Sequence, residues 1–491
     1  MQRYTFKRYI YDDIVSCFDR QSVIFLLGPR KCGKTVCLHQ LCDSYDNSEY
    51  IDFKNLNDDE SIDAFKRIRT SIENNEDKKY FLDEITYAFY PDKEIERIAI
   101  TLDENSGRNT KIVFAGSQSR ALEYWGHRSF ASSAGFIRAD FINYSEWMRY
   151  KGIKEASEES YMDFLYHVSD FYGFSSIEEY IKGCLDETII SNLKATEVIF
   201  GNDVSLLSSD NIDELLDICY TTLFILHNQV GVQTFQMDKN KNLEGSILHY
   251  FQDVCRQWGD GVLQNKISGS FIGHYTRFNT YDLDTLKQAF QFLYRCGIIS
   301  ITPVSDSFDN IPNVVRDLQL TDSRINYKSD LFLKYNFCFR HPMFYISILQ
   351  DILGEDMPSQ EDFPRELLGS IVECQIRGLL DDNGGCFEYH DIDDTEIDYV
   401  NMTGLYAVEI SVSNKRLRAL HFDKLPEDFY DLYLKISVSR DRKELSEGII
   451  FVPYYEFVKG LSDKDKEKEQ YIESLRHAEG STTTPHRRKS R

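Results

Sequence analysis

Short apolar runs recur through the first 150 residues, and each is followed by a polar or glycine-containing turn. They are rich in aliphatic and aromatic residues, as buried strands are, and they cover residues 23–27, 50–53, 79–84, 111–115 and 136–141. The stretches between them include segments with apolar residues at helical spacing, such as residues 35–41. Strands that alternate with helices predict an α/β fold, in which a parallel sheet carries helices on both faces. In such sheets a ligand binds at the carboxyl ends of the strands.

The turn after the first run carries the strongest chemical signal in the chain. Residues 28–35 match the pattern G-x-x-x-x-G-K-[ST] in full, between a predicted strand and a predicted helix. In this arrangement backbone N–H groups wrap a polyphosphate at a helix N-terminus. We therefore predict that the chain binds a nucleoside triphosphate. The predicted nucleotide-binding residues are Gly28, Pro29, Arg30, Lys31, Cys32, Gly33, Lys34, Thr35 and Val36.

Hydrolysis would need a metal anchor and a water-activating group in addition to this loop. In the loop, Lys34 offers an ammonium to the β- and γ-phosphates, and the Thr35 hydroxyl is placed to ligate Mg²⁺. The run at residues 79–84 ends in two adjacent acids, Asp83 and Glu84. We predict that Asp83 holds Mg²⁺ through its water shell and that Glu84 orients and deprotonates the attacking water. A solvated acidic turn is the structural alternative for these two acids.

The run at residues 111–115 leads into a small polar turn. Polar residues at the end of a strand between the two preceding ones can sense the γ-phosphate, and Ser117 and Gln118 are the candidates here. A turn without any catalytic role is the alternative interpretation.

With these residues in view, the chain resembles a large prokaryotic family of AAA+ ATPases that have a G-P-R-x-x-G-K-T loop and a C-terminal domain similar to restriction endonucleases. Four segments carry the resemblance: residues 28–35, 82–85, 115–117 and 143–147. A fifth, residues 334–339, resembles the aromatic strand that leads into the family's C-terminal domain. The resemblance implies ATP rather than GTP as the nucleotide, Mg²⁺ as the metal, and a P-loop NTPase fold.

Two departures from the family pattern bear on activity. The family usually has an arginine after its Ala-Gly pair, whereas Phe136 stands there in this chain. The arginine finger is therefore unassigned, and the candidates are Arg138, Arg128 and Arg120. The family also commonly has a glutamine where this chain has Thr86, which is consistent with slow hydrolysis.

The segment at residues 245–305 has the pattern of a winged helix. Leu283, Leu286, Phe290 and Leu293 fall on one face of a predicted helix, and Gly297 ends it before a strand. Such a helix often reads DNA. Its opposite face carries Lys287, Gln288, Gln291 and Arg295, a thin surface for phosphates. Either DNA contact or a purely structural role fits this pattern.

A set of acids in the C-terminal part resembles the Asp … Glu-x-Lys core of restriction-endonuclease-like nucleases. Glu373 lies on a predicted helix, and Asp398 and Glu409 lie on two predicted strands. Ser411 stands at the lysine position of the motif, and it can neither carry that charge nor shift the pKa of a water. We expect a degenerate binding domain; an active nuclease and plain core carboxylates are the alternatives.

Composition limits the remaining possibilities. The chain has 491 residues, a formal net charge of −24 and eleven scattered cysteines without a C-x-x-C pair. The charge argues against a surface coated for nucleic acid, and the cysteine pattern suggests reduced thiols. With no signal segment and no apolar run of ~18 residues, we expect a cytoplasmic protein. The predicted regions are an AAA+ core (1–150), a helical lid and linker (151–240), a winged-helix-like domain (241–345), a degenerate endonuclease-like domain (346–458) and a disordered tail (459–491).

The sequence thus favours a Mg²⁺-dependent, slow ATPase whose nucleotide cycle moves its C-terminal regions. Two further hypotheses stay open: a binding switch that holds ATP without turnover, and an ATP-gated nuclease. A DNA or protein partner and a homo-oligomer are compatible with all three.

Overall fold

The structure is a computed structural model of the chain, and its described residues fall into two compact units. It describes residues 5–105, 109–117, 119–131, 133–194, 211–225, 261–306, 334–380, 386–390, 396–412, 420–425, 433–463 and 468–480. The first unit is drawn from residues 1–143, 170–215 and 295–297, and the second from 144–169, 216–294 and 298–491. Among the described helices, none combines the length and the apolar character that crossing a bilayer requires.

A five-stranded parallel sheet forms the centre of the first unit. Its strands are β1 (Val23–Leu27), β2 (Ser48–Asp52), β3 (Lys79–Asp83), β4 (Lys111–Ala115) and β5 (Ala134–Arg138). The strand order is β2-β3-β4-β1-β5, and every neighbouring pair is parallel. All five strands and their parallel arrangement were predicted from the apolar runs, so the α/β fold with a parallel sheet is confirmed for this region.

Helices flank this sheet and supply its core. They are α1 (Tyr9–Phe18), α2 (Lys34–Cys42), α3 (Asp58–Glu73), α4 (Pro91–Asn105) and α5 (Ser119–Phe130). Alternate β1 residues such as Phe25 cluster with buried side chains of α3, α4 and α5. The intervening residues Ile24 and Leu26 point to the other face and are fully buried too. Both faces of β1 are therefore covered, as its nearly continuous apolar sequence requires.

The helices α6 (Tyr144–Lys151), α7 (Glu158–Tyr172), α8 (Ile177–Lys194) and α9 (Ile212–Ile225) follow the core along the chain. Helices α7, α8 and α9 lie within residues 151–240, the stretch predicted as a helical lid and linker. The rest of that stretch, residues 195–210 and 226–240, lies outside the described residues.

An eight-stranded mixed sheet forms the centre of the second unit. Its strands are β6 (Ile299–Ser305), β7 (Tyr335–Phe339), β8 (Cys386–His390), β9 (Glu396–Asn401), β10 (Tyr406–Ile410), β11 (Leu434–Ser439), β12 (Glu444–Ser446) and β13 (Ile449–Pro453). The order is β12-β13-β11-β10-β9-β8-β6-β7. The antiparallel pair β6/β7 continues the sheet through a parallel pairing of β6 with β8. Residues 299–339 and 386–453 therefore contribute to one sheet.

The remaining helices are α10 (Gly261–Thr280), α11 (Leu283–Arg295), α12 (Pro342–Leu353), α13 (Arg365–Leu380), α14 (Tyr454–Ser462) and α15 (Lys468–Gly480). Helix α11 contains the four predicted apolar positions and ends before Gly297, as predicted. The prediction for its opposite face is wrong, because Lys287 and Gln291 are 3% and 8% exposed. Two of the four side chains proposed to face DNA are therefore covered by packing and do not form an exposed surface.

The prediction of a disordered tail from residue 459 is also wrong for residues 459–462, which end α14, and for residues 468–480, which form α15. The reason is an apolar contact that the charge pattern hides. The Tyr471 ring lies 6.0 Å from Phe457, and Ile472 is buried. Gly460 permits this approach, because a Cβ there would lie 2.1 Å from the Tyr471 ring. Residues 481–491 lie outside the described part of the chain.

Candidate functional site

The glycine loop joins the end of β1 to the start of α2, and two of its glycines have conformations that side chains rarely adopt. Gly28 has φ 146° and Gly33 has φ 96°. A Cβ at Gly28 would lie 2.0 Å from the Ala139 carbonyl oxygen. The loop can therefore take this course only with glycine at position 28, and glycine is strongly favoured at position 33.

The lysine of the loop is buried and turned back onto the loop itself. Lys34 is 5% exposed, and its Nζ donates to the carbonyl oxygens of Gly28 at 2.8 Å and Pro29 at 2.7 Å. A charge-assisted hydrogen bond to each carbonyl compensates for the water that the buried ammonium has lost. Positive charge is thus fixed at the base of the loop, where an anion can replace one of these carbonyls as its partner.

A cavity of about 390 Å³ opens beside the loop. Its volume lies in the range of pockets that bind small molecules and cofactors. Its walls bring together loop and helix residues that were predicted to bind nucleotide and two predicted catalytic residues. They are Arg30, Lys31, Gly33, Lys34, Thr35, Val36, Glu84 and Ser117. Gly28, Pro29, Cys32 and Asp83, which were also predicted, do not line it.

The two acids at the end of β3 have different surroundings. Asp83 is 2% exposed, and it accepts hydrogen bonds from the Tyr50 hydroxyl at 3.0 Å and from the Glu84 amide at 3.0 Å. Glu84 follows in a left-handed conformation with φ 47°, which turns its side chain into the cavity. A non-glycine residue in this region of φ is uncommon and costs of the order of 1 kcal/mol. The strand end therefore separates a fixed carboxylate from a cavity-facing one.

The polar turn after β4 contacts both the acids and the loop. The Ser117 hydroxyl donates to Glu84 Oε1 at 3.0 Å, and the Ser117 amide lies 3.4 Å from Glu84 Oε2. Ser119 accepts from the Gly28 amide at 2.6 Å and donates to the Gly28 carbonyl oxygen at 3.1 Å. Of the two predicted sensor residues, Ser117 lies in the cavity wall, and Gln118 lies outside the described residues.

Comparison with known families agrees with this geometry. The family model described as the AAA domain matches residues 20–147. That range contains the five strands, the glycine loop, Asp83 and Glu84, and Ser117. Residues 20–147 are therefore similar to an AAA domain, and this matched region is called the AAA domain below. No curated protein matches the chain.

Solved structures similar to this chain include a Walker-type ATPase, DnaA and Cdc6p. A Walker-type ATPase of Pyrococcus abyssi has 12% identity and a TM-score of 0.28, with 65% of this chain and 96% of that chain covered. DnaA of Aquifex aeolicus bound to AMPPCP has 14% identity and a TM-score of 0.22, with 55% and 85% covered. Cdc6p of Pyrobaculum aerophilum has 12% identity and a TM-score of 0.23, with 60% and 86% covered. The similarity to the AAA domain therefore comes from the family model over residues 20–147 alone.

Several residues of the AAA domain's cavity were missed from the sequence. They are Phe6, Arg8, Cys37, Gln40, Phe171, Tyr172 and Gly173. Gln40 Nε2 donates to the Phe6 carbonyl oxygen at 3.1 Å, which fixes the N-terminal segment against α2. The hydroxyl of Tyr172 accepts a hydrogen bond from the Ile142 amide. Cys37 and Gln40 lie on α2 just after the loop. Phe6, Arg8 and residues 171–173 are distant from the loop in sequence, and no local pattern connects them with it.

Helix α8 and the turn before it contact the loop directly. Lys31, which has φ 58°, reaches the Gly173 carbonyl oxygen at 3.3 Å and the Glu179 carboxylate at 3.4 Å. The Tyr180 hydroxyl donates to the Arg30 carbonyl oxygen at 3.2 Å. Gly183 leaves room for the guanidinium of Arg30, because a Cβ there would lie 1.8 Å from Arg30 Nη1. Arg30 and Lys31, which the loop pattern leaves unspecified, are thus the loop residues that contact α8 and the turn before it.

The structure describes the side chains of two of the three arginine-finger candidates. Arg138 ends β5, is largely exposed and lies 3.8 Å from Glu123. Arg128 is exposed near the end of α5. The side chain of Arg120 lies outside what the structure describes.

The acids of the second unit are engaged in bonds within the protein. Arg377, which is 2% exposed, pairs with Glu373 at 2.8 Å and with Glu388 at 2.7 Å. Burial by itself would lower the pKa of Arg377, but the carboxylates of Glu388 and Glu373 outweigh it and raise the pKa. Asp398 accepts from the Ile410 amide, and Glu409 accepts from the His421 amide at 2.9 Å.

These bonds bear on the predicted nuclease core. Asp398 and Glu409 lie on β9 and β10, which are neighbouring strands. Both acids are buried, and so is Ser411. Glu373, by contrast, is held by an arginine four residues along its own helix. Within the described residues there is no group of three or more His, Cys, Asp or Glu side chains arranged to hold a metal.

Proposed function

We propose that the protein binds Mg²⁺-ATP in the cavity of its AAA domain and hydrolyses it slowly to ADP and phosphate. In this proposal Lys34 binds the β- and γ-phosphates and Thr35 and Asp83 hold the metal. Glu84 is the general base, and Ser117 contacts the γ-phosphate.

The observation that supports this best is the position of Glu84 and Ser117. Both line the cavity together with Lys34 and Thr35, although they come from different strand ends 33 residues apart. Phosphoryl transfer depends mainly on positioning and on fixed charge around the phosphates. A cavity that joins an ammonium, a hydroxyl and a carboxylate provides these groups in one place.

The donor set fits a magnesium ion held partly by its nucleotide. Mg²⁺ takes oxygen ligands and usually keeps several waters, with one or two carboxylates and substrate phosphates completing its shell. The exposed hydroxyl of Thr35 and the fixed carboxylate of Asp83 are oxygen donors of this kind. When bound, the metal would neutralise charge on the phosphates.

The decisive experiment uses the full chain and three variants. Wild-type protein should bind ATP saturably in the presence of Mg²⁺ and release phosphate. Lys34→Ala should lose nucleotide binding, because the ammonium at the base of the loop is gone. Glu84→Gln should keep ATP binding and lose turnover by about 10²-fold or more, the usual contribution of a positioned base. Gln40→Ala serves as a cavity control without a proposed role in hydrolysis.

Two results would refute this function. If titration with labelled ATP and Mg²⁺ shows no saturable binding by folded wild-type protein, the nucleotide site is wrong. If Glu84→Gln hydrolyses ATP at the wild-type rate, the assignment of the base is wrong.

A second candidate function is a switch that holds ATP without turnover. The hydrogen bond from Ser117 to Glu84 favours it, because a carboxylate that accepts this bond is held back from a water. Ser117→Ala separates the two functions. If Ser117 acts on the γ-phosphate, hydrolysis falls in this variant; if it restrains Glu84, hydrolysis rises from a low wild-type value.

We further propose that nucleotide occupancy is transmitted through α8, which contacts the loop at Lys31 and Arg30. The output would be contact with DNA or a protein partner, or assembly with a second copy. For the acids of the second unit, the Arg377 ion pairs support a structural role over a nuclease centre.

A further inference from the structure

We infer that Arg8, from the segment before the first helix, is a positioning residue that sets the phosphate-binding conformation of the glycine loop. The inference rests on the proposed ATP site and names a residue that its sequence motif does not contain. Arg8 lines the same cavity as the loop and is 7% exposed.

The guanidinium of Arg8 joins two separate backbone segments. Its Nη1 donates to the Cys32 carbonyl oxygen at 2.5 Å and to the Asp140 carbonyl oxygen at 2.7 Å. Cys32 belongs to the loop, and Asp140 follows the edge strand β5. Both hydrogen bonds are charge-assisted and have little competition from water. They are therefore stronger than hydrogen bonds between two uncharged backbone groups.

The bond to Cys32 determines which way one peptide unit of the loop faces. A trans peptide is planar, and its C=O and N–H point in opposite directions. With the Cys32 carbonyl turned toward Arg8, the Gly33 N–H must point away from Arg8. Gly33 immediately precedes α2, so this N–H belongs to the group of unpaired donors at a helix start that bind anions.

Gly33 is also the residue whose peptide is easiest to turn. Its φ of 96° lies where glycine has wide freedom, so the peptide before it needs an external contact to keep one orientation. Arg8 lies close enough to give it, since a Cβ at Gly33 would lie 3.7 Å from Arg8 Cδ and 3.8 Å from Nη1. The contact with Arg8 thus fixes the orientation of the Cys32–Gly33 peptide, which glycine alone leaves free to turn.

The same strand-end segment supports the loop at both of its ends. Ala139 donates its amide to the Leu27 carbonyl oxygen at 2.7 Å, and its own carbonyl leaves room only for glycine at position 28. Asp140 accepts the other bond from Arg8. Arg8 therefore ties the far end of the loop to the segment that already shapes its beginning.

The test measures affinities of the full chain for ATP, ADP and AMP by competition with a fluorescent ATP analogue. Arg8→Ala should weaken both ATP and ADP by ~10- to 100-fold, the loss expected for charged hydrogen bonds. AMP, which lacks the β-phosphate that such a loop surrounds, should bind as before. Arg8→Lys keeps the charge without the fork of donors and should be intermediate. Arg20→Ala, an exposed arginine in the turn after α1, is the matched control.

Further readouts distinguish positioning from folding and from direct phosphate contact. Millimolar guanidinium should restore part of the ADP affinity of Arg8→Ala, which a general loss of structure would not allow. Equal ADP affinity in wild type and Arg8→Ala would overturn the inference while leaving the proposed function intact. Loss of ATP affinity alone, with ADP unchanged, would also overturn it, because Arg8 would then contact the γ-phosphate itself. A wild-type protein that binds no nucleotide would overturn the proposed function and this inference together.

Discussion

A tyrosine on β2 helps to hold Asp83, the acid that we propose as a metal ligand. The Tyr50 hydroxyl donates to Asp83 Oδ2, and the His39 ring stacks on Tyr50 with centroids 3.9 Å apart. Burial, together with the nearby Asp83 carboxylate, raises the pKa of Tyr50, so the phenol stays protonated and remains a donor at neutral pH. The orientation of Asp83 therefore depends on a residue of the neighbouring strand.

Tyr50→Phe tests this dependence. The variant keeps the ring stacked on His39 and removes one hydrogen bond from a carboxylate that is 2% exposed. Loss of a hydrogen bond that orients a metal ligand typically lowers metal affinity by ~10- to 100-fold. We expect the Mg²⁺ concentration for half-maximal ATP hydrolysis to rise by about tenfold, with ATP affinity in saturating Mg²⁺ little changed.

Tyr45→Phe is the control for this variant. Its ring stacks with Phe81 at 6.4 Å, and its hydroxyl is not bonded to Asp83. The role given to Tyr50 would be wrong if both variants required the wild-type concentration of Mg²⁺.

At the residue scale, the sequence predicted the loop and the acids but not their partners. Gly28, Lys34 and Thr35 are recognisable because the loop needs them at fixed spacing along a few residues. Arg8, Tyr50 and the 171–173 segment are contributed by other elements, so no local spacing identifies them. The conformational reason for Gly28, a close approach of Ala139, is likewise visible only in the folded chain.

At the scale of elements, buried charge joins α9 to α10 in the second unit. Asp217 of α9 has a side chain that is 1% exposed, and it accepts hydrogen bonds from His274, Arg277 and Tyr281. Burial by itself would raise the pKa of Asp217, but these hydrogen bonds outweigh it, so the pKa lies below its ordinary value. The carboxylate is therefore charged in the folded protein at neutral pH.

Asp217→Asn should lower the free energy of unfolding of this unit by about 1–3 kcal/mol, because a buried charged acceptor is lost. The lower part of this range is favoured, since Arg277 is 55% exposed and can return to water. The measurement is denaturant unfolding at pH 7, with Asp213→Asn in the first turn of the same helix as control.

The stabilisation that ionised Asp217 provides should depend on pH in a defined direction. Because the folded-state pKa is lowered, the stabilisation is present above the unfolded-state pKa of ~3.9 and is lost as the pH falls through the folded value. The stability difference between wild type and Asp217→Asn should therefore shrink in acid. A difference that stays constant down to pH 2 would contradict the argument.

Elements of the first unit were predicted well because their sequences are nearly unbroken apolar runs. The edge strand is the least accurate: residues 136–141 were predicted, and β5 is Ala134–Arg138. Its pairing ends at Arg138 because Ala139 and Asp140 turn to contact the glycine loop and Arg8. In the second unit, the burial of Lys287 and Gln291 could not be predicted, since both residues are polar and only tertiary packing covers them.

At the scale of the whole molecule, the two units contain acids with opposite surroundings. In the AAA domain, Glu84 lines a cavity. In the second unit, Glu373 and Glu388 neutralise Arg377, and sequence spacing alone could not reveal this, because the arginine lies outside the nuclease motif. The glycine loop and the strand-end position suggested a chemical role for the first set, and the ion pairs change the interpretation of the second.

The last prediction concerns that buried arginine. Arg377→Met keeps much of the side-chain volume and leaves two carboxylates without their counter-charge. Removing one partner of a buried pair typically costs about 3–5 kcal/mol, and because Glu373 is 23% exposed and can rehydrate, we expect the lower part of that range. Denaturant unfolding measures the loss, with Arg365→Met at the exposed start of the same helix as control.

The same cluster predicts the behaviour of the full chain toward DNA. If the acids serve packing, supercoiled plasmid incubated with the protein, Mg²⁺ and ATP stays intact, and Asp398→Ala changes stability without changing the plasmid. Mg²⁺-dependent cutting by wild type that disappears in Asp398→Ala would instead show that the acids bind a metal. In that case the Arg377 ion pairs would have to open for the reaction, and Arg377→Met would change the rate of cutting as well as stability.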